Sequence, residues 1–374
     1  MVVIVPLISI FVYRENSTMQ IVNISRMKSL FIEPQSYTGS DDKSVNTKYS
    51  RGCEPLTGRW IHVGRNRTFH APVCCGWDRG AFRRYPKECG YKKRKPLEGF
   101  YRGSAADDVY TQMGGNACRD ANFLDEWEWQ DPALLPFNSQ RTCQKLANRT
   151  VLLLGDSTML QTATTLMNAL KSGGCALQIM CQKADTLIKE DLGRLNRGLY
   201  WMEAVRSIEP DIVIVNSCHH IARNAMDDYQ KVIHQVQADI LDWNQNSSKR
   251  SNKTTAFVWK TANPGGCSDK PLFPEDPLLA ATTRNFSFAP DYTRHFHHVT
   301  FERDQYACDH WTENKELVNT YMLDMRTLYS RSDAHPGKNG FVGDCLHYKS
   351  PGPLDVIAPL FQQLLDRIDS INDK

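Results

Sequence analysis

From residue 149 onward the chain alternates short apolar runs with helical periodicities, and that alternation restricts it to an α/β architecture built on a parallel sheet. Residues 151–154 are an apolar run bounded by polar residues, as a strand buried on both faces requires. Residues 158–170 follow with Met159, Thr162-Ala163, Leu166 and Leu170 at helical spacing. A second strand is expected over 176–181, then a helix over 199–208 that Glu209-Pro210 stops. Ile212–Val215 reads as another buried strand, 229–243 as an amphipathic helix and 255–260 as a third clean strand. A short strand over 299–301, a helix over 314–329 and a final helix over 354–371 complete the pattern. The expected fold class is a three-layer α/β/α domain with a parallel sheet over 149–374.

Upstream the pattern changes. Residues 51–148 hold half of the twelve cysteines, many glycines and aromatics, and little helical periodicity. They read as a loop-rich N-terminal lobe tied by disulfides. Residues 14–50 are polar and read as a stem or linker. Residues 1–13 are almost wholly apolar and end at Arg14-Glu15. Thirteen residues fall short of the roughly 20 that span a bilayer. The run is expected to be a signal peptide or a short signal anchor, although it lacks a basic leading segment.

The cysteines carry the compartment argument. No C-x-x-C pair occurs, so structural zinc is not expected and no metal site is assigned. Several disulfides in an oxidising compartment account for the cysteines better. The adjacent Cys74 and Cys75 should bond to different partners. Seven N-x-S/T sequons begin at Asn16, Asn23, Asn66, Asn148, Asn246, Asn252 and Asn285, and they point along the same secretory route. A net charge of +3 gives no reason to expect a nucleic-acid partner. The one dense basic run, Lys92-Lys93-Arg94-Lys95, reads as a solvated loop, with an anionic glycan or membrane surface as the alternative.

In a parallel sheet, reactive groups gather at the carboxyl ends of the strands. Gly155-Asp156-Ser157 falls just past the first strong strand and at the start of a helix. A serine there faces a crevice and sits where free N–H groups stabilise a developing oxyanion. Taken alone, the tripeptide reads as a turn with an Asp156 cap. A serine nucleophile also needs a base, and a histidine held by an acid is the usual one. Among eleven histidines, His347 stands out: Asp344 precedes it by three residues, just before the last helix. Acid and histidine on one turn can face the same side, with the second ring nitrogen turned to Ser157.

Gly-Asp-Ser after the first strand and Asp-x-x-His before the last helix together resemble the SGNH (GDSL-type) hydrolase fold. The resemblance implies an oxyanion hole from the Ser157 N–H, a glycine (Gly193 or Gly198) and the amide of Asn216 at the end of a central strand. Over most of residues 51–367 the chain is similar to the PC-esterase group that includes the plant trichome-birefringence-like proteins. The supporting segments are Cys53 through Thr57-Gly58-Arg59-Trp60, Trp127 to Phe137, Leu154 to Ser157, and Val215 to His219. Arg331-Ser-Asp333-Ala-His335-Pro336-Gly337 and Asp344-Cys-Leu-His347 through Asp355 complete the set. Those plant proteins are Golgi polysaccharide O-acetyltransferases whose triad carries over to Ser157, Asp344 and His347. The resemblance therefore implies an O-acetyltransferase, membrane-bound in the Golgi with a lumenal catalytic domain, or else secreted. Such an enzyme takes an acyl donor as co-substrate and a polysaccharide or glycan as acceptor, and binds no resident cofactor. A carbohydrate esterase with the same triad and an inactive glycan-binding protein are the alternatives.

Departures are visible too. Tyr348-Lys349 stands where the plant pattern has tryptophan and a further cysteine. Thr158-Met159-Leu160-Gln161 replaces an arginine and asparagine pattern, and Glu128 replaces an arginine. Weaker candidates remain. His335 and His219 could contact substrate, Trp127 and Trp129 could stack on sugar or pack the lobe, and His295, His297 and His298 form a cluster with no carboxylate spacing to support a metal.

Overall fold

The computed structural model describes residues 13–15, 18–20, 53, 56–70, 125–175, 178–188, 200–221, 225–246, 254–268, 270–282, 297–311, 316–335, 345–349 and 352–372. The chain divides into two compact units, Met1–Lys48 and Tyr49–Lys374. In the first unit, β1 (Tyr13–Glu15) and β2 (Thr18–Gln20) form a small antiparallel hairpin. The rest of the apolar run and of the polar stem lies outside the described residues. Among the described residues, no helix is long and apolar enough to cross a membrane.

The second unit is a three-layer α/β/α domain. Its sheet holds β5 (Val151–Gly155), β6 (Ile179–Lys183), β7 (Ile212–Val215), β8 (Ala256–Lys260) and β9 (Thr320–Leu323) in the order β6-β5-β7-β8-β9. Every neighbouring pair is parallel. The chain moves from β5 outward to β6, then crosses back to β7 on the other side. The connection leaving β5 runs to β6 on one side and the connection leaving its neighbour β7 runs to β8 on the other, so the two part at the carboxyl ends of β5 and β7, the place where open α/β sheets form a ligand-binding crevice.

The short helix α1 (Ser139–Lys145) leads into β5, its first turn capped by Asn138, which accepts from the Arg141 N–H. Alternate side chains of each strand feed two separate cores, as the two-residue period requires. Leu153, Ile214 and Val258 pack with α2 (Ser157–Leu170) and α7 (Ile357–Asn372). Leu154, Val215 and Trp259 face α3 (Trp201–Ile208) and α4 (Met226–Gln245). Both faces are covered, so the strands read as unbroken apolar runs. Burying a Val, Leu or Ile side chain contributes about 1.5–3 kcal/mol. A smaller cluster joins Ala280 and Ala281 of α5 (Pro277–Thr282) to Tyr329.

Upstream of this sheet, β3 (Arg59–His62) pairs antiparallel with β4 (Trp127–Gln130), placing Trp60 opposite Trp129. The two indoles meet edge to face at 5.6 Å. Trp60 donates from Nε1 to the Thr327 carbonyl at 2.8 Å, which docks the strand pair on the sheet domain. Gly58 must be glycine: a Cβ there would lie 2.4 Å from the Trp129 ring. Trp127 and Trp129 both pack against the core, so lobe packing is what this structure gives them. Next to β4 in sequence, buried Asp125 bonds Arg331 at 2.7 Å and also bonds Arg67. Arg331 further pairs with Asp333 at 3.0 Å and lies 4.7 Å over the Trp60 ring.

Disulfides Cys53–Cys308, Cys143–Cys175 and Cys267–Cys345 are formed. The first joins the lobe to α6 (His297–His310). Cys218 is a buried thiol whose pKa burial pushes up to about 12. Cys74, Cys75, Cys89 and Cys118 lie outside the described residues, as does the basic run.

Three expectations are corrected. The second strand is Ile179–Lys183, starting later than 176. The expected strand at 299–301 is the start of α6. Its buried stripe is Thr300, Arg303, Asp304, Ala307 and Cys308, a helical spacing that two charged residues hide from an apolar count. The expected helix over 314–329 is strand β9, followed by a 3-10 turn at Arg326–Ser330. A strand buried on both faces has no alternation, so its apolar residues fit a helical period equally well.

The buried carboxylate between two arginines generates a stability prediction. Asp125→Ala removes the buried carboxylate that Arg331 and Arg67 share and should cost about 3–5 kcal/mol, read as a lowered urea midpoint.

Candidate active site

Ser157 is the first residue of α2, directly beyond β5. Asp156 shapes this start. Its carboxylate accepts from the Thr158 N–H at 2.9 Å and from the Thr158 hydroxyl at 2.6 Å. Its carbonyl accepts from Met159 and Leu160 at 3.1 and 3.2 Å. The N–H groups of Thr158, Met159 and Leu160 are thus all bonded to Asp156, the last as the first regular bond of the helix. Burial works against the Asp156 charge, but His219, His220 and the Thr158 bonds outweigh it and hold the carboxyl at about 2. Asp156 is therefore an ionised cap behind the serine.

Close packing sets the direction of that turn. A Cβ on Gly155 would stand 2.8 Å from both the Asn216 carbonyl and Met159 Cβ. Only glycine lets β5 end so tightly against its neighbour strand and the incoming helix.

His347 arrives from the other end of the domain. Its Nε2 lies 2.8 Å from Ser157 Oγ, across 190 residues of sequence. Both side chains are half-buried in an otherwise buried neighbourhood. The segment 345–349 carrying His347 is fastened at several points. Gly266 N–H donates to the Cys345 carbonyl at 2.6 Å, and Lys349 N–H to the Ala334 carbonyl at 2.7 Å. The Tyr348 hydroxyl lies 3.2 Å from the carbonyls of Pro264 and Leu328. The Cys267–Cys345 disulfide ends two residues before His347.

Asp344, Gly193 and Gly198 lie outside the described residues, as do His295, Asn16, Asn23, Asn252 and Asn285. His297 and His298 begin α6. Among the described residues no group of His, Cys, Asp and Glu is arranged to hold a metal ion. Asn148 is exposed, with left-handed backbone at φ 62°. Asn246 bonds back to Asp242 at the end of α4, and Asn66 closes a short 3-10 turn.

Asn216 is at the end of β7 as expected, but its amide nitrogen donates to the Lys260 carbonyl at 2.8 Å and ties two strand ends together. It is 1% exposed. His219 is also buried and meets the Asn263 carbonyl at 2.8 Å, so Nε2 must carry the proton. Burial pushes its pKa down to about 4, against Asp156 and that bond, and the ring is neutral at pH 7. His335 is 3% exposed and stands edge-on to the Tyr348 ring at 4.2 Å, beneath the His347 segment. Both histidines are buried.

Sequence reasoning passed over a polar lattice under the crevice. Lys260, fully buried at the end of β8, donates to the Thr261 carbonyl and to Asn263 Oδ1, both at 2.8 Å. Asn263 turns its amide to the Thr158 carbonyl and the Thr162 hydroxyl on α2, at 3.3 and 3.2 Å. Asp304 of α6 accepts from Ala262 N–H and from the Tyr329 hydroxyl, each at 2.8 Å. The available signals are a lysine ending an apolar strand and the turn-forming Asn263-Pro264-Gly265-Gly266 just beyond it.

Compared with known protein-family models, and with curated proteins, the chain matches none.

Asp304 makes the lattice sensitive to pH. Burial raises its carboxyl from 3.8 to about 7, against the bonds from Ala262 and Tyr329 and the charge of Lys260. Between those values the folded chain holds a proton that the unfolded chain has released. Stability contributed here is present at low pH and falls as pH rises through that window. Asp304→Asn should flatten that slope in urea midpoints measured across the range.

Proposed function

We propose that this protein is a serine-dependent O-acyltransferase of the secretory pathway that moves an acetyl group from an acyl donor to a hydroxyl of a polysaccharide or glycan. The observation that carries the reading is the 2.8 Å contact between His347 Nε2 and Ser157 Oγ, made at a helix start in the crevice of a parallel sheet. Nucleophile and base within hydrogen-bond reach are the first requirement of acyl-serine chemistry. The similarity of the sequence segments to the PC-esterase group adds the donor, the acceptor class and the third member, Asp344. The disulfides fit an oxidising compartment.

In this reading His347 Nε2 accepts the Ser157 proton as Oγ attacks the acyl carbonyl. The Ser157 N–H at the helix start faces the oxygen that gains charge. Collapse of the tetrahedral adduct breaks the bond to the donor's leaving group, which takes the proton from His347. An acceptor hydroxyl then gives its proton to His347 and attacks the acyl-serine; the bond from the acyl carbon to Ser157 Oγ breaks, Oγ takes the proton back from His347, and the ester passes to the sugar. Asp344 holds the second ring nitrogen and stabilises the imidazolium. Asp156, buried and ionised under the helix start, acts as a cap and takes no proton at neutral pH.

A second outcome shares the intermediate. Ser157 and His347 are each partly exposed, so water also has a path to the acyl-serine, and its attack makes the enzyme an esterase. Incubating the protein with an acetyl donor and several oligosaccharides separates the outcomes. Ester gained on sugar is the transferase result, and loss of existing ester without gain is the esterase result. Ser157→Ala and His347→Ala should each lower the rate by about 10³-fold or more. If wild type and Ser157→Ala bind an oligosaccharide equally and neither moves nor releases acetyl, the protein is a binding module and the proposal fails.

A further inference from the structure

We propose that Gln161 is a positioning residue that sets the reach of His347 toward Ser157 by clamping the main chain of Tyr348, an inference that rests on Ser157 being the nucleophile. Gln161 lies on α2 four residues after Ser157, one turn along the same face. Its side chain is buried. Gln161 Nε2 donates to the Tyr348 carbonyl at 2.5 Å, and the Tyr348 N–H donates to Gln161 Oε1 at 3.0 Å. One amide thus satisfies both main-chain groups of a single residue.

The chemistry needs this side chain type. A primary amide donates and accepts at once, whereas a carboxylate only accepts and an apolar side chain does neither. Both bonds are buried, so losing either leaves a main-chain group without its partner. The clamped N–H belongs to the peptide unit that joins His347 to Tyr348, and that unit is planar and stiff. Fixing it fixes the base of the His347 side chain. The bonds from Gly266, Pro264, Leu328 and Ala334 hold the segment to the body of the domain, but none of those partners is on α2. Gln161 ties the segment to the helix that carries the nucleophile. One rigid helix therefore holds the serine at its first residue and, one turn later, the gauge for the histidine. Tyr348 packs edge-on against His335 and cannot recede, because its ring and hydroxyl are buried.

The test does not require the natural substrate. A fluorophosphonate probe is attacked by an activated serine oxygen, which bonds to phosphorus as fluoride leaves and the proton passes to the base. Labelling rates are measured on the full chain as wild type, Ser157→Ala, Gln161→Met and Gln161→Glu, with thermal melts to establish that each variant is folded. Wild type should label at Ser157 and Ser157→Ala should not; if wild type fails to label, the reading of Ser157 itself falls. With that reading intact, the folded Gln161 variants should label about 10–100-fold more slowly, as misplacement of a base by about 1 Å does.

Gln161→Glu supplies the readout that a purely structural role would not move. Protonated, its carboxyl both donates and accepts as glutamine does; ionised, it repels the Tyr348 carbonyl. Its rate relative to wild type should therefore rise as pH falls from about 8 to about 6, where a buried glutamic acid takes up its proton. Labelling of folded Gln161→Glu at the wild-type rate, or a relative rate that stays low and flat with pH, overturns the inference. Either outcome does so even if Gln161→Met does not fold.

Discussion

Everything at the carboxyl edge of the sheet depends on the docking of residues 345–349 against the first turn of α2. The contact closes a loop of 190 residues between Ser157 and His347. Loop entropy grows only slowly with length, but the orientation of a histidine ring is not secured by closure alone. The segment is held by a disulfide, by main-chain bonds to Gly266 and Ala334, by the Tyr348 hydroxyl and by the two-bond clamp from Gln161. These anchors come from the turns after β8 and β9 and from α2, so the histidine position integrates most of the domain. Removing the sheet order would separate Ser157 from His347, because these parts meet where the connections leaving β5 and β7 diverge.

Beneath this edge the protein buries charge where an apolar core would be simpler. Asp156, Lys260, Asp304 and Arg303 are all within the interior. A buried charge is tolerated only when its hydrogen bonds are made, and such groups tend to fix one arrangement more than they add stability. The partners here are strand ends and helix starts: Lys260 to Asn263, Asn263 to α2, Asp304 to the backbone after β8 and to Tyr329. Each bond fastens one loop of the crevice to another. Burial lowers the Lys260 ammonium to about 8, with Asp156 and Asp304 acting against that shift.

Much of the fold was legible in the sequence because parallel strands buried on both faces leave continuous apolar runs. Residues 151–154 and Ile212–Val215 announce themselves in this way, and Glu209-Pro210 ends α3 with Glu209 in a left-handed conformation at φ 47°. The errors fell where burial and polarity separate. In α6 the buried face carries Arg303 and Asp304, and in β9 full burial erased the alternation that distinguishes strand from helix. The pairing of Ser157 with His347 was readable from position relative to strands and helices. The burial of His219, His335 and Asn216 was not, since a polar residue near Ser157 looks the same in sequence whether it faces solvent or the core. Gln161 was visible only as a departure from a familiar pattern, because its partner is main chain and leaves no sequence mark.

The central claim is that Ser157 carries the acyl group in covalent linkage. Incubating the full chain with an activated acetyl ester, quenching in acid and mapping peptides by mass spectrometry tests it directly. The expected result is acetyl on the peptide containing Ser157 in the wild type, lost when an acceptor oligosaccharide or water is given time to react, and absent from Ser157→Ala. Acetyl of equal amount on wild type and Ser157→Ala, or acetyl seated only on lysines, would contradict it.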